Sequence, residues 1–274
     1  MYEEFYGLKL KPFSIQPDPN FLYFGRLHAY AYAMMELGIK DRAGFMVVSG
    51  EVGCGKTTLV RHLLNNLPSD MTVGLVYNTQ RDITNLLEWI MQALGLPYEG
   101  KSVVALFDAF QTYLIEQYGL GRRVLLIVDE AHNLSPDALE SLRMLSNINA
   151  DATQLLQMML VGQPQLRNLL SSPDLLQFSQ RVELDFHLKP FEAIDVQGYI
   201  NHRLAVAGRD AQLFTPEACA RIAEASQGIP RRINILCNTI LIYGFSAGSQ
   251  SIDMEMVEEV LRDKAEYGAL SKPE

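Results

Sequence analysis

Three short apolar runs, residues 45–49, 124–128 and 155–161, mark the first two-thirds of the chain. Each is short for a helix and nearly free of polar residues, the pattern of a strand buried on both faces of a parallel sheet. Residues 72–77 and 182–188 read as two further strands. Between them, apolar residues recur at helical spacing over 27–40, 58–67, 82–94, 103–118 and 136–147, with shorter helices over 165–170 and 173–180. Asp82 is placed to cap the third of these helices. Ser135 caps the fifth, with Pro136 at its first helical position. Pro68 and Pro97 fall where helices stop. Strands alternating with helices predict an α/β fold, a doubly wound parallel five-stranded sheet whose ligands bind beyond the C-terminal strand ends.

After Lys189-Pro190 the pattern changes. Residues 192–207, 216–226, 231–247 and 254–267 all carry helical periodicity, and no strand interrupts them. The expected organisation is an N-terminal arm over 1–26 packed on the core, an α/β core over 27–189, and a small all-α lid over 190–274. The arm is rich in aromatics and Pro, with Tyr2, Phe5, Tyr6, Phe13, Phe21, Tyr23 and Phe24 among Pro12, Pro17 and Pro19. Those rings serve either packing or a nucleobase contact.

Chemistry concentrates where the first strand meets its helix. Gly50-Glu51-Val52-Gly53-Cys54-Gly55-Lys56-Thr57-Thr58 fits G-x-x-x-x-G-K-[ST], with strand before it and helix after it. Glycines let several backbone N–H groups converge on one point, and the helix N-terminus adds positive partial charge, so the turn is built for an anion. Lys56 is expected to reach the β- and γ-phosphates of ATP, and the Thr57 hydroxyl to ligate Mg²⁺. The run 124–128 leads directly into Asp129-Glu130. In a protein with such a loop, a carboxylate pair at the end of a buried strand is a Walker B motif. Asp129 would hold Mg²⁺, which keeps part of its hydration shell, and Glu130 would polarise the attacking water. Gln163 ends the next strand. His132 completes Asp-Glu-Ala-His, but its surroundings read as a surface or hydrogen-bonding position.

Composition narrows the class. Hydrophobic residues make up 48% and charged residues 20%, a globular balance. No apolar run approaches the roughly 20 residues that span a bilayer, and no signal peptide is visible, so a cytoplasmic protein is expected. Cys54, Cys219 and Cys237 form no C-x-x-C spacing, which argues against a disulfide framework or zinc. The net charge of −9, with Arg122-Arg123 and Arg231-Arg232 scattered, does not favour nucleic acid as the principal partner. It leaves a local basic surface open.

The order of these motifs resembles an AAA+ ATPase: P-loop, Walker B, a polar residue on the next strand, an Arg before the fifth strand, then a helical lid. By that resemblance, Arg231 in Gly228-Ile229-Pro230-Arg231-Arg232-Ile233-Asn234 is the sensor-2 residue, with Arg232 in reserve. Arg181 stands at the arginine finger, which acts on a neighbouring subunit's ATP. Gln163 takes the sensor-1 position, where Asn, Ser or Thr is usual. The strings MYEEFYGL, KPFSIQPDPNFLYFG, GEVGCGKTTLVR, LLIVDEAHNL, ALESLRMLSN, LVGQP and GIPRRINILCN are similar to the ExeA/GspA branch of secretion-associated AAA+ ATPases. Within it they are most similar to the ATPase accompanying exosortase (PEP-CTERM) and exopolysaccharide systems. The resemblance covers nearly the whole chain. It implies a homo-oligomer that hydrolyses ATP with Mg²⁺ and works with inner-membrane secretion or polysaccharide-export components, in the cytoplasm or peripherally at that membrane. The alternative is a DNA-binding ATP-dependent switch, since transposition ATPases are related to the same branch.

Overall fold

The computed structural model describes residues 2–77, 86–150 and 153–267. Its elements begin α1 (Tyr2–Phe5), α2 (Arg26–Lys40), β1 (Phe45–Gly50), α3 (Lys56–Asn65), β2 (Met71–Val76), α4 (Leu86–Ala93) and α5 (Val103–Gly119). They continue β3 (Arg123–Val128), α6 (Pro136–Leu145), β4 (Asn149–Ala150), β5 (Thr153–Gln154), β6 (Leu156–Gly162), α7 (Gln165–Leu170), α8 (Leu176–Ser179) and β7 (Val182–Leu188). Then follow α9 (Ala193–Val206), α10 (Pro216–Ser226), α11 (Pro230–Ser246) and α12 (Met254–Tyr267). Contacts gather the chain into two units, residues 30–52 with 60–188, and residues 1–29 with 53–59 and 189–274.

The first unit is the sheet. Its strands are all parallel, in the order β2-β3-β6-β1-β7. Burial explains that order. β1 and β6 are buried at every position, and β3 at all but its first. The edge strand β7 alternates instead, exposing Glu183 and Asp185, as a strand half in water should. Long parallel crossovers need helices, and their apolar faces supply Ile90, Phe110, Leu139 and Phe178 to the core. Ser135 Oγ accepts the Ala138 N–H at 3.2 Å with Pro136 at the first helical position, as the sequence predicts. The expected Asp82 cap lies outside the described residues. The small antiparallel pair β4 and β5 has no counterpart in the sequence reading.

The second unit is helical. Val196, Ile200, Phe214, Ile233, Ile240 and Val257 form the centre of its core. Tyr2, Tyr6, Phe13 and Phe21 of the arm pack in this helical core. Arg203 is the anchor. It is 6% exposed, donates to the Pro12 and Ser14 carbonyls, and lies 4.8 Å over the Phe21 ring. Tyr2 Oη donates to Asn238 Oδ1 at 2.8 Å. Residues 53–59 of the phosphate-loop sequence also group with this unit. Among the described residues, no helix is long and apolar enough to cross a membrane.

Candidate functional site

Parallel strands put Gly50, Val76, Val128, Gly162 and Leu188 at one edge of the sheet. The glycine-rich loop leaves from Gly50 with Glu51 and Val52 exposed. Gly53 and Gly55 have φ of +84° and +95°, values that side chains resist. Helix α3 then starts at Lys56, and its first turn closes through the Leu59 N–H on the Gly55 carbonyl at 2.9 Å. The first N–H groups of a helix have no intrahelical acceptor, so this end suits a phosphate. Lys56 is only 8% exposed, while Thr57 and Thr58 are half-buried.

Two residues far away in sequence hold this loop. The Arg231 N–H donates to the Gly53 carbonyl at 3.2 Å, and a Cβ on Gly53 would lie 2.6 Å from the Arg231 Cβ. Arg231 is thus seated on the loop by its backbone. Arg232 instead donates to Gln227 Oε1, which separates the two arginines that the motif left together. His28 is the second. Its Nε2 lies 2.9 Å from the Cys54 carbonyl, and its ring is 4.5 Å from that of Phe191. It is 2% exposed, and burial holds its pKa below the usual imidazole value, against the pull of the Cys54 carbonyl and Asp195. The neutral ring therefore donates from Nε2 and leaves Nδ1 as an acceptor. No motif marks His28; a single His inside an amphipathic helix carries no local signal.

The carboxylates form a second group. The Asp129 N–H donates to the Val76 carbonyl at 3.0 Å, fixing it at the end of β3. Its side chain is buried, and Oδ1 accepts the Glu130 N–H at 2.9 Å. Glu130 takes a left-handed backbone, φ 55° and ψ 32°, and a 3₁₀ turn over Ala131–Asn133 follows. Its carboxylate stays accessible, at 44% side-chain exposure. Gln163 Nε2 approaches Glu130 Oε2 at 3.5 Å, and the Gln163 N–H meets His132 Nδ1 at 3.3 Å. The structure thus brings Glu130, Gln163 and His132 together, and His132 is the hydrogen-bonding residue of the two readings that the sequence left open. Hydroxyl and carboxylate oxygens such as those of Thr57 and Asp129 suit a hard cation. Among the described residues, no cluster of His, Cys, Asp or Glu could cage a metal by itself, and Mg²⁺ held by one carboxylate, phosphates and water needs none.

Arg181 stands apart from the carboxylates. It immediately precedes β7, at the sheet edge opposite Asp129 and Glu130. Its Nη1 donates to Ser146 Oγ at 3.0 Å and Asn147 Oδ1 at 2.6 Å, just after α6.

The fold is that of an AAA-type P-loop domain. Residues 39–170 match the family model described as an AAA domain. Over 253 residues, the chain is 40% identical to the General secretion pathway protein A of Aeromonas hydrophila, covering 92% of this chain and 46% of that protein. The chain therefore spans about half the length of that relative. Among solved structures, it is similar to the ORC2 protein of Aeropyrum pernix in its ADPNP-ADP complexes, at TM-score 0.65 and 17% identity, covering 90% of this chain and 72% of that one. It is also similar to Cdc6p of Pyrobaculum aerophilum, at TM-score 0.65 and 14% identity over 91% and 70% of the two chains. The RuvB P216G mutant of Thermotoga maritima follows at 0.57 and 18%, over 92% and 73%. At these identities the solved structures speak for the fold alone.

Proposed function

We propose that this chain hydrolyses ATP with Mg²⁺ and couples hydrolysis to the assembly of an envelope secretion or polysaccharide-export system. The observation that carries the proposal is the 40% identity to General secretion pathway protein A across 92% of this chain. That span is too long to be confined to the AAA match at 39–170. The narrower assignment, an ATPase that accompanies exosortase and exopolysaccharide systems, is supported by the N-terminal strings and by Gly228 to Asn234. The reading puts the chain in the cytoplasm, peripherally at the inner membrane where such partners sit.

Each site residue has a part set by its chemistry. The loop from Gly50 to Thr58 offers backbone N–H groups to the phosphates, and Lys56 adds charge at the β- and γ-positions. Arg231, held to Gly53 through its backbone, brings a guanidinium from the helical unit to the nucleotide. The Thr57 hydroxyl and Asp129 would hold a partly hydrated Mg²⁺, which would neutralise phosphate charge. Glu130 takes the proton of the attacking water, and Gln163 orients that carboxylate. Arg181 serves the ATP of a neighbouring copy in a homo-oligomer; its place at the far sheet edge supports this.

The test is Glu130→Gln. The variant keeps side-chain size and ATP binding but loses the proton acceptor, so turnover should fall by about 10²-fold or more. Wild-type turnover in the variant would remove Glu130 from the role.

A further inference from the structure

We propose that His132 is a positioning residue for Glu130, acting through one atom, Nδ1, that the Gln163 backbone and the Glu130 carboxylate both approach. The inference rests on the reading of Glu130 as general base. Its Nδ1 lies 3.3 Å from the Gln163 backbone nitrogen and 3.5 Å from Glu130 Oε2. Both separations exceed the 2.9–3.0 Å or so of a well-formed N–H···O bond.

The chemistry of the two contacts is opposed. The Gln163 N–H is a donor and needs a bare Nδ1. The Glu130 carboxylate is an acceptor and needs Nδ1 to carry the proton. A neutral imidazole protonates one nitrogen at a time, so one tautomer serves Gln163 and the other serves Glu130. The side chain is 11% exposed, which limits the access of water to this choice. The backbone enforces the proximity. The 3₁₀ turn over Ala131–Asn133 packs against the end of β6, where a Cβ on Gly162 would stand 3.2 Å from the His132 backbone nitrogen and 3.0 Å from Leu166 Cδ2. With glycine there, the turn carrying His132 comes close to the strand end carrying Gln163. Gln163 Nε2 reaches the same Glu130 oxygen at 3.5 Å, so backbone and side chain of one residue meet the His132–Glu130 pair from one side. His132 therefore links a movement at Gln163 to the position of the carboxylate.

The experiment compares His132→Ala, His132→Asn and His132→Gln in the full chain, measuring kcat and KM for ATP with melting temperature as the folding control. An Asn amide sits at the level of imidazole Nδ1 and a Gln amide at the level of Nε2. His132→Ala and His132→Gln should lose about 10²-fold in kcat, the usual cost of misplacing a catalytic group by about 1 Å, with KM nearly unchanged. His132→Asn should recover most of the loss. Equal rates in His132→Asn and His132→Gln would overturn the proposal, as would wild-type kcat in His132→Ala or a change confined to KM. A second readout uses ¹⁵N-histidine, with 5 His in the chain. Removing the carboxylate in Glu130→Ala should shift His132 Nδ1 toward its unprotonated signature. An unmoved resonance would overturn the tautomer argument. Glu130→Gln separates the two levels: wild-type turnover there sinks the general-base reading itself, whereas an inactive Glu130→Gln beside a fully active His132→Ala sinks this inference alone.

Discussion

Gly53 and Gly55 stand one residue apart in the same loop, and the structure predicts that alanine costs more at the first. Both have strongly positive φ, which costs an L-residue about 1–2 kcal/mol. That strain is common to the two variants and cancels between them. Their surroundings differ. A Cβ on Gly55 would meet His28 Nε2 at 3.5 Å, an ordinary contact. A Cβ on Gly53 would stand 2.6 Å from the Arg231 Cβ, which is fixed to a helix and cannot rotate away. The loop must then retreat and lose the bond from the Arg231 N–H to the Gly53 carbonyl, a net loss of about 0.5–1.5 kcal/mol. At about 2–4 °C per kcal/mol for chains of roughly this size, Gly53→Ala should melt about 1–6 °C below Gly55→Ala. Calorimetry without nucleotide measures this. A Gly55→Ala melting at or below Gly53→Ala would refute the seating of Arg231 on the loop.

Lys56→Ala should abolish ATP binding in titration calorimetry, because it removes the charge proposed to face the β- and γ-phosphates; unchanged affinity would make the loop decorative. Arg181→Ala should keep ATP binding and lose turnover by about 10³-fold, and mixing it with inactive Lys56→Ala should restore activity, since an intact loop can then face an intact Arg181. Acidification should destabilise the protein through His28. Its pKa is held low by burial in the folded state, so below about pH 6.5 the unfolded chain binds more protons and stability falls with pH. His28→Gln cannot titrate, and its urea midpoint should change less between about pH 7 and about pH 5.5; a slope equal to wild type would acquit His28. Asp70 and Glu140, held low by hydrogen bonds from Arg123 and Arg143, act only at lower pH; His202, also held low by burial, acts in the same window and leaves a residual slope in His28→Gln.

What was legible in the sequence was contiguous. Residues 124–128 form an unbroken apolar run with carboxylates after it, and β3 is where that pattern puts a strand. β7, α10 and α12 have the expected limits, α10 with Thr215 and α12 with Asp253 accepting a backbone N–H at the start. α3 begins at Lys56, two residues before the expected start, since Gly55 is the last left-handed residue and helical angles follow at once. The left-handed Glu130 was illegible, because Asp-Glu-Ala-His contains no Gly or Pro to announce a turn. So was the destination of the arm. Aromatics between prolines say that a segment must bury rings, but Arg203 and Phe214, which receive them, lie far along the chain. His28 and His132 draw their significance from neighbours that only the fold supplies.

Strand register carries one step further, to the question of whose ATP Arg181 can touch. β7 runs parallel to β1, with Val182 beside Phe45 and Leu188 beside Gly50. The loop leaves from Gly50, so the phosphate end of β1 and Arg181 are separated by the length of β7. At about 3.3 Å per residue that is roughly 20 Å, well beyond the reach of an arginine side chain. The Ser146 and Asn147 bonds hold the guanidinium beside α6, still on the far side. Motif order alone leaves Arg181 free to serve its own site or another. Register removes the first option for the Gly50 end of β1. An Arg181 that contributes to hydrolysis must therefore do so in a second copy, and turnover should rise faster than linearly with protein concentration. Specific activity that survives dilution to monomers would return Arg181 to a structural role at the end of α6.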